Sequence, residues 1–414
     1  MPSPANAASQ RAASRFKITS LIWSVYAPSF LLSLGQGILI PVLPLFAGAD
    51  EGGLGGTALI VGLAVSGRHI GTMIFDVPAG ICVSRFGLKK TMVVGVGLFA
   101  LAAVGAGLAP GLWVLIAMRL LAGVSFALWS ISRHAYIAQA VPIQSRGRAL
   151  SLFGGISRIA TILGPLLGGL VGEYAGLRAP FFAQALVGGL TLLLVLLTMR
   201  RLIDVARPSD GHNIYAVLGQ TVTSHRREFS TAGLAAICLQ FMRAGRELML
   251  PLWGAQAGLG SAEIGYVVTV SSTIDSTMFV PVGYVMDRFG RKWSGAPSLI
   301  VLGTSMAMLP LLGGFWGLMV GGMLVGLGNG MSSGWVLTMG TDLSPRERSG
   351  EFLGVWRLIS DTGGAAGPFA IGAIAQVLTL GAASVVTGGI GWAGAAVVVF
   401  MVKETLVKQR PTPR

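Results

Sequence analysis

Twelve long apolar runs constrain this chain more than any other feature in it. They lie at about 19–47, 57–83, 90–109, 112–139, 148–175, 180–199, 230–257, 262–286, 293–311, 314–341, 350–378 and 382–402. A helix needs about 20 residues to span a hydrocarbon core of about 30 Å, so each run is long enough for one transmembrane helix. The apolar residues come in blocks, without the 3.6-residue spacing of a helix lying half in water. A membrane β-barrel would instead alternate over segments of about ten residues, and the sequence has none. Charged residues make up only 11% of the chain, against roughly 25% in soluble domains. That is too little charge to cover a water-facing surface. The expected fold class is an all-α membrane protein of twelve transmembrane helices.

The formal net charge of +14 would suggest nucleic acid in a soluble protein, so its placement matters. Twenty-two of the 30 Lys and Arg fall in the two tails and the even-numbered loops, among them Arg85, Lys89, Lys90, Arg146, Arg148, Arg226, Arg227 and Arg348. One, Arg178, falls in an odd-numbered loop, and seven fall inside the runs. Cations concentrate on the cytoplasmic side of membrane proteins, so both termini are expected in the cytoplasm, with the chain in a plasma or bacterial inner membrane. Nucleic-acid binding is excluded on this reading. Cys82 and Cys238 both lie in apolar runs and imply neither a disulfide framework nor a metal site. The Ala/Ser/Arg-rich start of the chain reads as a cytosolic tail, not a transit peptide, and the first run is too long for a cleaved signal core.

The sequence also repeats itself. Sliding 70–90 along the chain by 203 places Pro78 on Pro281, Gly80 on Gly283, Arg85 on Arg288, Phe86 on Phe289 and Gly87 on Gly290. Without a gap, the same offset places Gly123 on Gly326, Pro142 on Pro345, Ser157 on Ser360 and Gly164-Pro165 on Gly367-Pro368. A constant offset over this distance points to duplication of a six-helix unit. The expected organisation is a tail (1–18), a six-helix bundle (19–199), a linker (200–229), a second bundle (230–402) and a tail (403–414).

Parallel six-helix halves are the architecture of major facilitator transporters, and the loop motifs resemble that superfamily. Its signature between helices 2 and 3, approximately G-x-x-x-D-R-x-G-R-[RK], is almost intact in the second half as Gly283-Tyr-Val-Met-Asp287-Arg288-Phe-Gly290-Arg291-Lys292. The first half has Gly80-Ile-Cys-Val-Ser84-Arg85-Phe-Gly87-Leu88-Lys89, departing at Ser84 and Leu88. Arg119-Leu-Leu-Ala-Gly123 and Arg146-Gly-Arg-Ala149 resemble further family motifs. Gly164-Pro165-Leu-Leu-Gly168-Gly169 resembles the fifth-helix signature of the drug and metabolite:proton antiporters. The resemblance implies a secondary transporter working by alternating access, with no cofactor and no enzymatic chemistry.

Glycines in the two signature loops permit positive φ and close backbone approach, while the cations there can hold helix ends. With the family pattern, this makes Gly80, Arg85, Gly87, Gly283, Asp287, Arg288, Gly290 and Arg291 candidate gating residues. Lys89, Lys90 and Lys292 need do no more than set topology. In the fifth run, the glycines beside Pro165 suit close helix packing as well as any transport role.

Charges inside a membrane are costly and face partners or a water-filled cavity. The runs contain Arg68, Arg119, Arg133, Arg158, Arg243, Arg246 and Arg357, with Asp76, Glu247, Asp275 and Asp361 and with His69 and His134. Arg243–Glu247 and Arg357–Asp361 are spaced to meet on one helix face. With the family's helix contacts, Asp76 with Arg357 and Arg158 with Asp275 are expected to bridge the halves. Seven arginines against four acids leave a positive excess that an anionic or zwitterionic substrate group would balance. A carboxylate that gains and loses an Arg neighbour can load and unload a proton, and Asp275, Asp361 and then Glu247 suit that role. The acid that many drug exporters carry in helix 1 is absent here, where Gln36 stands in LSLGQGILIPVLP.

The leading expectation is proton-driven export of an amphiphilic compound by a monomer in the bilayer. Two alternatives are uptake or exchange of an anionic metabolite and a non-transporting sensor on the same fold.

Overall fold

The computed structural model describes residues 21–48, 52–141, 145–198, 214–345 and 348–406, apart from the side chains of 138, 146–148, 150 and 214–218. The expected N-terminal tail, Pro142, most of the linker, most of the C-terminal tail and the side chains of the loop motif at Arg146 and Arg148 lie outside what is described.

Among the described residues, twelve helical spans follow one another. In the first half they are α1 (Ile22–Tyr26, Ala27–Leu39 and Val42–Gly48), α2 (Ala58–Phe86), α3 (Leu88–Gly107), α4 (Leu112–Ala140), α5 (Arg146–Ala175) and α6 (Ala179–Thr198). A short helix, Ile214–Ser224, precedes the second half. That half consists of α7 (Phe229–Gly233 and Leu234–Gln256), α8 (Ser261–Thr277 and Phe279–Arg288) and α9 (Lys292–Met308). It continues with α10 (Gly314–Gly330 and Trp335–Leu343), α11 (Ser349–Val377) and α12 (Leu380–Phe400). By contacts the chain divides into two compact units, Met1–Leu54 with Gly67–Asp210, and Gly55–Ser66 with Gly211–Arg414.

Each unit packs its helices in the same pairs. In the first, α1 lies on α5 and α6, and α3 lies on α4 and α6. In the second, α7 lies on α11 and α12, and α9 lies on α10 and α12. Glycine sets the closest approaches, where one backbone touches another with no side chain between. A Cβ on Gly123 would overlap the Arg68 carbonyl, and one on Gly326 would overlap the Ser271 carbonyl, 203 residues on. Gly164 meets Gly37 and Gly168 meets Ile38 across α5 and α1, while Gly363 and Gly367 meet Ile237 and Phe241 across α11 and α7.

The duplication reaches individual hydrogen bonds. Lys89 Nζ donates to the Leu196 carbonyl at 3.3 Å, and Lys292 Nζ donates to the Val399 carbonyl at 2.9 Å. Each ammonium thus meets the negative end of the last helix of its unit, a role beyond topology. Ser125 Oγ donates to the Gly95 carbonyl at 2.8 Å, and Ser298 Oγ donates to the Gly328 carbonyl at 2.6 Å. These are the same two positions with donor and acceptor exchanged. Arg178, between α5 and α6, closes the end of α3 by donating to the Gly107 carbonyl at 2.9 Å.

Eight spans, α1–α6, α9 and α12, are long and apolar enough to cross a membrane unaided. The other four are all in the second unit. In α8 and α10 the helix is interrupted, and α7 and α11 carry charged and polar residues. Pro281 weakens α8 at this point, because its ring has no N–H and crowds the carbonyl four residues earlier, although the equivalent Pro78 leaves α2 unbroken. In α10 the run GLGNGMSSG supplies the glycines, and Gly334 closes the turn at φ +79°. On the outer surface, Trp113 and Trp316 are 71% and 77% exposed at equivalent positions of α4 and α10. Exposed tryptophans near helix ends suit the membrane interface.

Candidate functional site

The two interruptions fall where the second unit keeps its membrane charges. Irregular backbone at membrane depth survives only inside protein or beside a water-filled cavity, since lipid cannot satisfy freed carbonyls. At the α10 turn the Ser332 carbonyl takes the Trp335 N–H at 3.0 Å, and Arg243 of α7 donates there as well. Its Nη2 donates to the Ser332 carbonyl at 2.8 Å and to Ser332 Oγ at 2.9 Å, and Nη1 reaches Gln240 Oε1 at 3.4 Å. A guanidinium at the end of a helix segment also opposes its dipole.

One turn further along α7, Arg246 points to α8. Its Nη2 lies 3.5 Å from Asp275 Oδ2, with both side chains about one-fifth exposed or less (22% and 15%). The same carboxylate oxygen accepts a hydrogen bond from Asn329 Nδ2 of α10 at 2.7 Å. Asp275 sits three residues before the α8 interruption, and Asn329 stands at the end of the first α10 segment. Three helices thus bring a carboxylate, a guanidinium and an amide together at two helix breaks. Interrupted helices of this kind build substrate and ion sites in transporters.

The first unit does not repeat this chemistry. The residue 203 before Asp275 is Thr72, whose hydroxyl donates to the carbonyls of Arg68 and Gly123 and so only ties α2 to α4. The counterpart of Asn329 is Phe126, over which Arg68 stacks at 5.9 Å. Arg68 also donates to His69 Nε2 at 3.0 Å. Arg119 is 7% exposed and packs beside Gly67 of α2. Arg133, equally buried, stacks over Phe153 at 4.2 Å. Asp76 and Arg158 are half-buried on α2 and α5, and Glu247 is half-buried on α7. Arg357 and Asp361 meet at 3.6 Å on α11, as their spacing requires. Glu263, in the first turn of α8, accepts the Gly260 N–H at 3.0 Å.

A second cluster forms at the α8–α9 loop. Gly290 takes φ +117° and its equivalent Gly87 takes +86°, so the glycine argument holds at these two positions. It does not hold at Gly80 or Gly283, which lie within helices with open space beside them. Arg291 Nε donates to Asp342 Oδ2 at 2.8 Å and Nη1 donates to the Met286 carbonyl at 2.8 Å, with Asp287 3.8 Å away. The Glu404 carboxylate, beyond α12, accepts the N–H groups of Arg291 at 2.9 Å and Lys292 at 3.1 Å, capping α9. Thr405 Oγ1 donates to Asp342 at 2.6 Å and closes the ring. Arg288 is held apart from this ring by the hydroxyl and ring of Tyr284 and the ring of Phe289. Burial alone would push the Glu404 carboxyl up, but backbone donors at Arg291, Leu406, Lys292 and Thr405 outweigh it and hold the pKa below its ordinary value. In the first unit Leu88, buried, replaces Arg291, and the neutral Gln139 replaces Asp342. Its departure from the signature is therefore matched by loss of the acid that would have paired with it, while Arg85 is exposed.

Sequence reasoning missed Asn329, Ser332, Asp342 and Glu404. A signal existed for the first two, since GLGNGMSSG places polar residues among glycines in a membrane run. None existed for the contacts of Glu404 with Arg291 and Lys292, which lie more than 100 residues away.

The profile of the Major Facilitator Superfamily matches residues 29–260 and 232–414. Multidrug resistance protein 1 of Bacillus subtilis is 30% identical over 289 residues, covering 68% of this chain and 70% of its own. Quinolone resistance protein NorA of Staphylococcus aureus is 24% identical over 362 residues, covering 86% and 90%. Among solved structures, a peptide transporter POT in complex with sulfate superposes with a TM-score of 0.77 at 13% identity, covering 94% of this chain and 97% of that one. A nucleoside transporter, NupG, gives 0.75 at 12%, covering 91% and 98%.

Proposed function

The chain belongs to the Major Facilitator Superfamily, and from that premise we propose that it exports an amphiphilic, drug-like compound or metabolite in exchange for protons. It is a multi-pass membrane transporter of small molecules, and alternating access follows from its family. Two relatives named for drug resistance, each matched over two thirds or more of this chain, support the export reading. The distribution of cations supports a cell membrane with both termini in the cytoplasm. The 203-residue repeat supports two functional halves, 19–199 and 230–402, joined by 200–229, in a protein that works as a monomer.

The observation that carries the proton is the Arg246–Asp275 pair at the two helix breaks. A zwitterion can replace the contact between these partners, its cationic pole on Asp275 and its anionic pole on Arg246. It would then occupy the carboxylate that a proton also needs, and mutually exclusive binding is what exchange requires. A lipophilic cation gains only half of this and meets the Arg excess, a repulsion that grows as the local dielectric falls. The candidate contacts for the negative pole are Arg246 first, then Arg119 and Arg243. Arg246 leads because Arg243 is engaged at Ser332 and Arg119 is more deeply buried. Gating falls to the ring around Arg291.

The same pair supports a second reading. A pure anion could take Arg246 only once Asp275 is neutral, so it would travel with the proton and not against it. Reconstituted vesicles loaded with a pH dye separate the two. With matched cationic, zwitterionic and anionic amphiphiles added outside, exchange predicts that the zwitterion makes the lumen more alkaline. Asp275→Asn should abolish the signal at equal protein content. Acidification by the anion alone would replace export with co-transport, and a wild-type signal in Asp275→Asn would remove Asp275 from the coupling.

A further inference from the structure

The contact between Asn329 and Asp275 carries information beyond a structural bond. The two side chains meet at 2.7 Å, a distance that requires one hydrogen between them. If Asp275 is charged, only the amide Nδ2 can supply it. If the proton sits on Asp275 Oδ2, the carboxyl O–H supplies it, and the amide presents Oδ1. The pair therefore has two bonded states that differ by one proton and a half-turn of the amide.

The surroundings of Asn329 point the same way. It is 6% exposed, and its Oδ1 has no hydrogen-bond partner in the state seen here. A buried carbonyl oxygen without a donor is costly, and turning the amide onto a protonated Asp275 gives that oxygen its donor. Protonation at Oδ2 thus gives that oxygen its donor, and the turned amide carries its N–H groups to the place Oδ1 held. Arg246 of α7 faces it as a fixed cation at 3.5 Å, with Glu247 following it in sequence, while Ser332 of α10 is taken up by Arg243 and the Asn329 carbonyl. On α8 itself, Thr273 and Ser276 bond their own helix.

The repeat provides an internal control. At the equivalent positions Thr72 and Phe126 the same helix pair closes with no carboxylate and no amide. The fold does not need the pair.

Resting on the reading of Asp275 as the proton site, we infer that Asn329 is the positioning residue that senses its protonation, its amide turning over each time the proton binds or leaves. The turn exchanges an acceptor for a donor at the end of the first α10 segment, beside the break that Arg243 holds. That is a route by which proton binding reaches the interrupted helices.

The sequence has three asparagines, Asn6, Asn213 and Asn329, so isotope-labelled asparagine gives an infrared spectrum simple enough to read. The full chain in lipid membranes, labelled on the asparagine side-chain carbonyl, is compared at acid and neutral pH. One labelled amide band is expected to shift together with the appearance of a carboxylic-acid band, and both changes should vanish in Asp275→Ala. In Asn329→Leu the acid band should remain but change position. An acid band that depends on Asp275 without any amide shift overturns the role of Asn329 and leaves the proton site standing. An amide shift that survives Asp275→Ala also overturns it. Absence of any acid band dependent on Asp275 overturns the proton site itself. The wild-type labelling experiment decides even where Asn329→Leu fails to fold.

Discussion

Adjacent arginines on one helix face divide the work of the second unit. Arg243 is held by two hydrogen bonds to Ser332, one of them to a carbonyl that also takes the Trp335 N–H in the α10 turn. Arg246 is held by a single longer ion pair. A hydrogen bond from a charged donor contributes about 1.5–3 kcal/mol, and more is lost when the remaining partner stays buried. Arg243→Met keeps the length of the side chain and removes the cap, so unfolding in detergent should show destabilisation of about 2–3 kcal/mol. Arg246→Gln should show the reverse profile, with transport lost and the melting temperature nearly unchanged. Equal melting temperatures for wild type and Arg243→Met would mean that the Trp335 N–H holds the Ser332 carbonyl without Arg243.

Glycines that look alike in the sequence differ once the helices are packed. Gly123 and Gly326 each sit on the backbone of a neighbouring helix, whereas Gly154 and Gly283 face open space. Adding a methyl group to a tight helix contact forces a backbone shift worth about 1–3 kcal/mol. Adding one to an open helical site stabilises by roughly 0.5–1 kcal/mol. Gly326→Ala should therefore lower stability and Gly283→Ala should not, as read by thermal unfolding of the purified protein. Gly283 belongs to the loop signature, so loss of transport in a fully stable Gly283→Ala would place its role in motion between states. Equal destabilisation by both variants would show that the α8–α10 approach does not depend on Gly326.

Across the second unit, one carboxylate beyond the last helix fastens the ends of three others. Glu404 caps α9, and Thr405 beside it bonds Asp342 at the end of α10, which in turn holds Arg291. Arg291 closes the end of α8 through the Met286 carbonyl. A carboxyl whose pKa is lowered by folding stabilises the protein above its unfolded value, and that stability is lost as pH falls through the lowered folded value. Here the window begins near the ordinary 4.5 and extends below it. Glu404→Gln should melt at a lower temperature than wild type at pH 7, and the two should converge as the wild type is acidified through that window. A constant gap between the two melting curves from pH 7 down through the window would show that the carboxylate charge contributes nothing.

Hydrophobic run length and cation placement act through the bilayer, a solvent that is the same for every such chain, so the helices and their number were legible without tertiary contacts. The repeat was legible too, because a duplicated unit keeps its packing glycines at a fixed offset, down to the Ser125–Gly95 and Ser298–Gly328 bonds. Local spacing was enough for Arg357 with Asp361, which share a helix face. It was not enough for Asp275, whose amide partner lies 54 residues away on another helix. Nor could it explain Leu88, which makes sense only once the neutral Gln139 is seen to stand where the second unit has Asp342, the partner of Arg291. Which helix a polar group faces depends on the rotation of two packed helices about their axes. Glycine contacts and helix interruptions set that rotation in three dimensions, and one chain position carries no record of it.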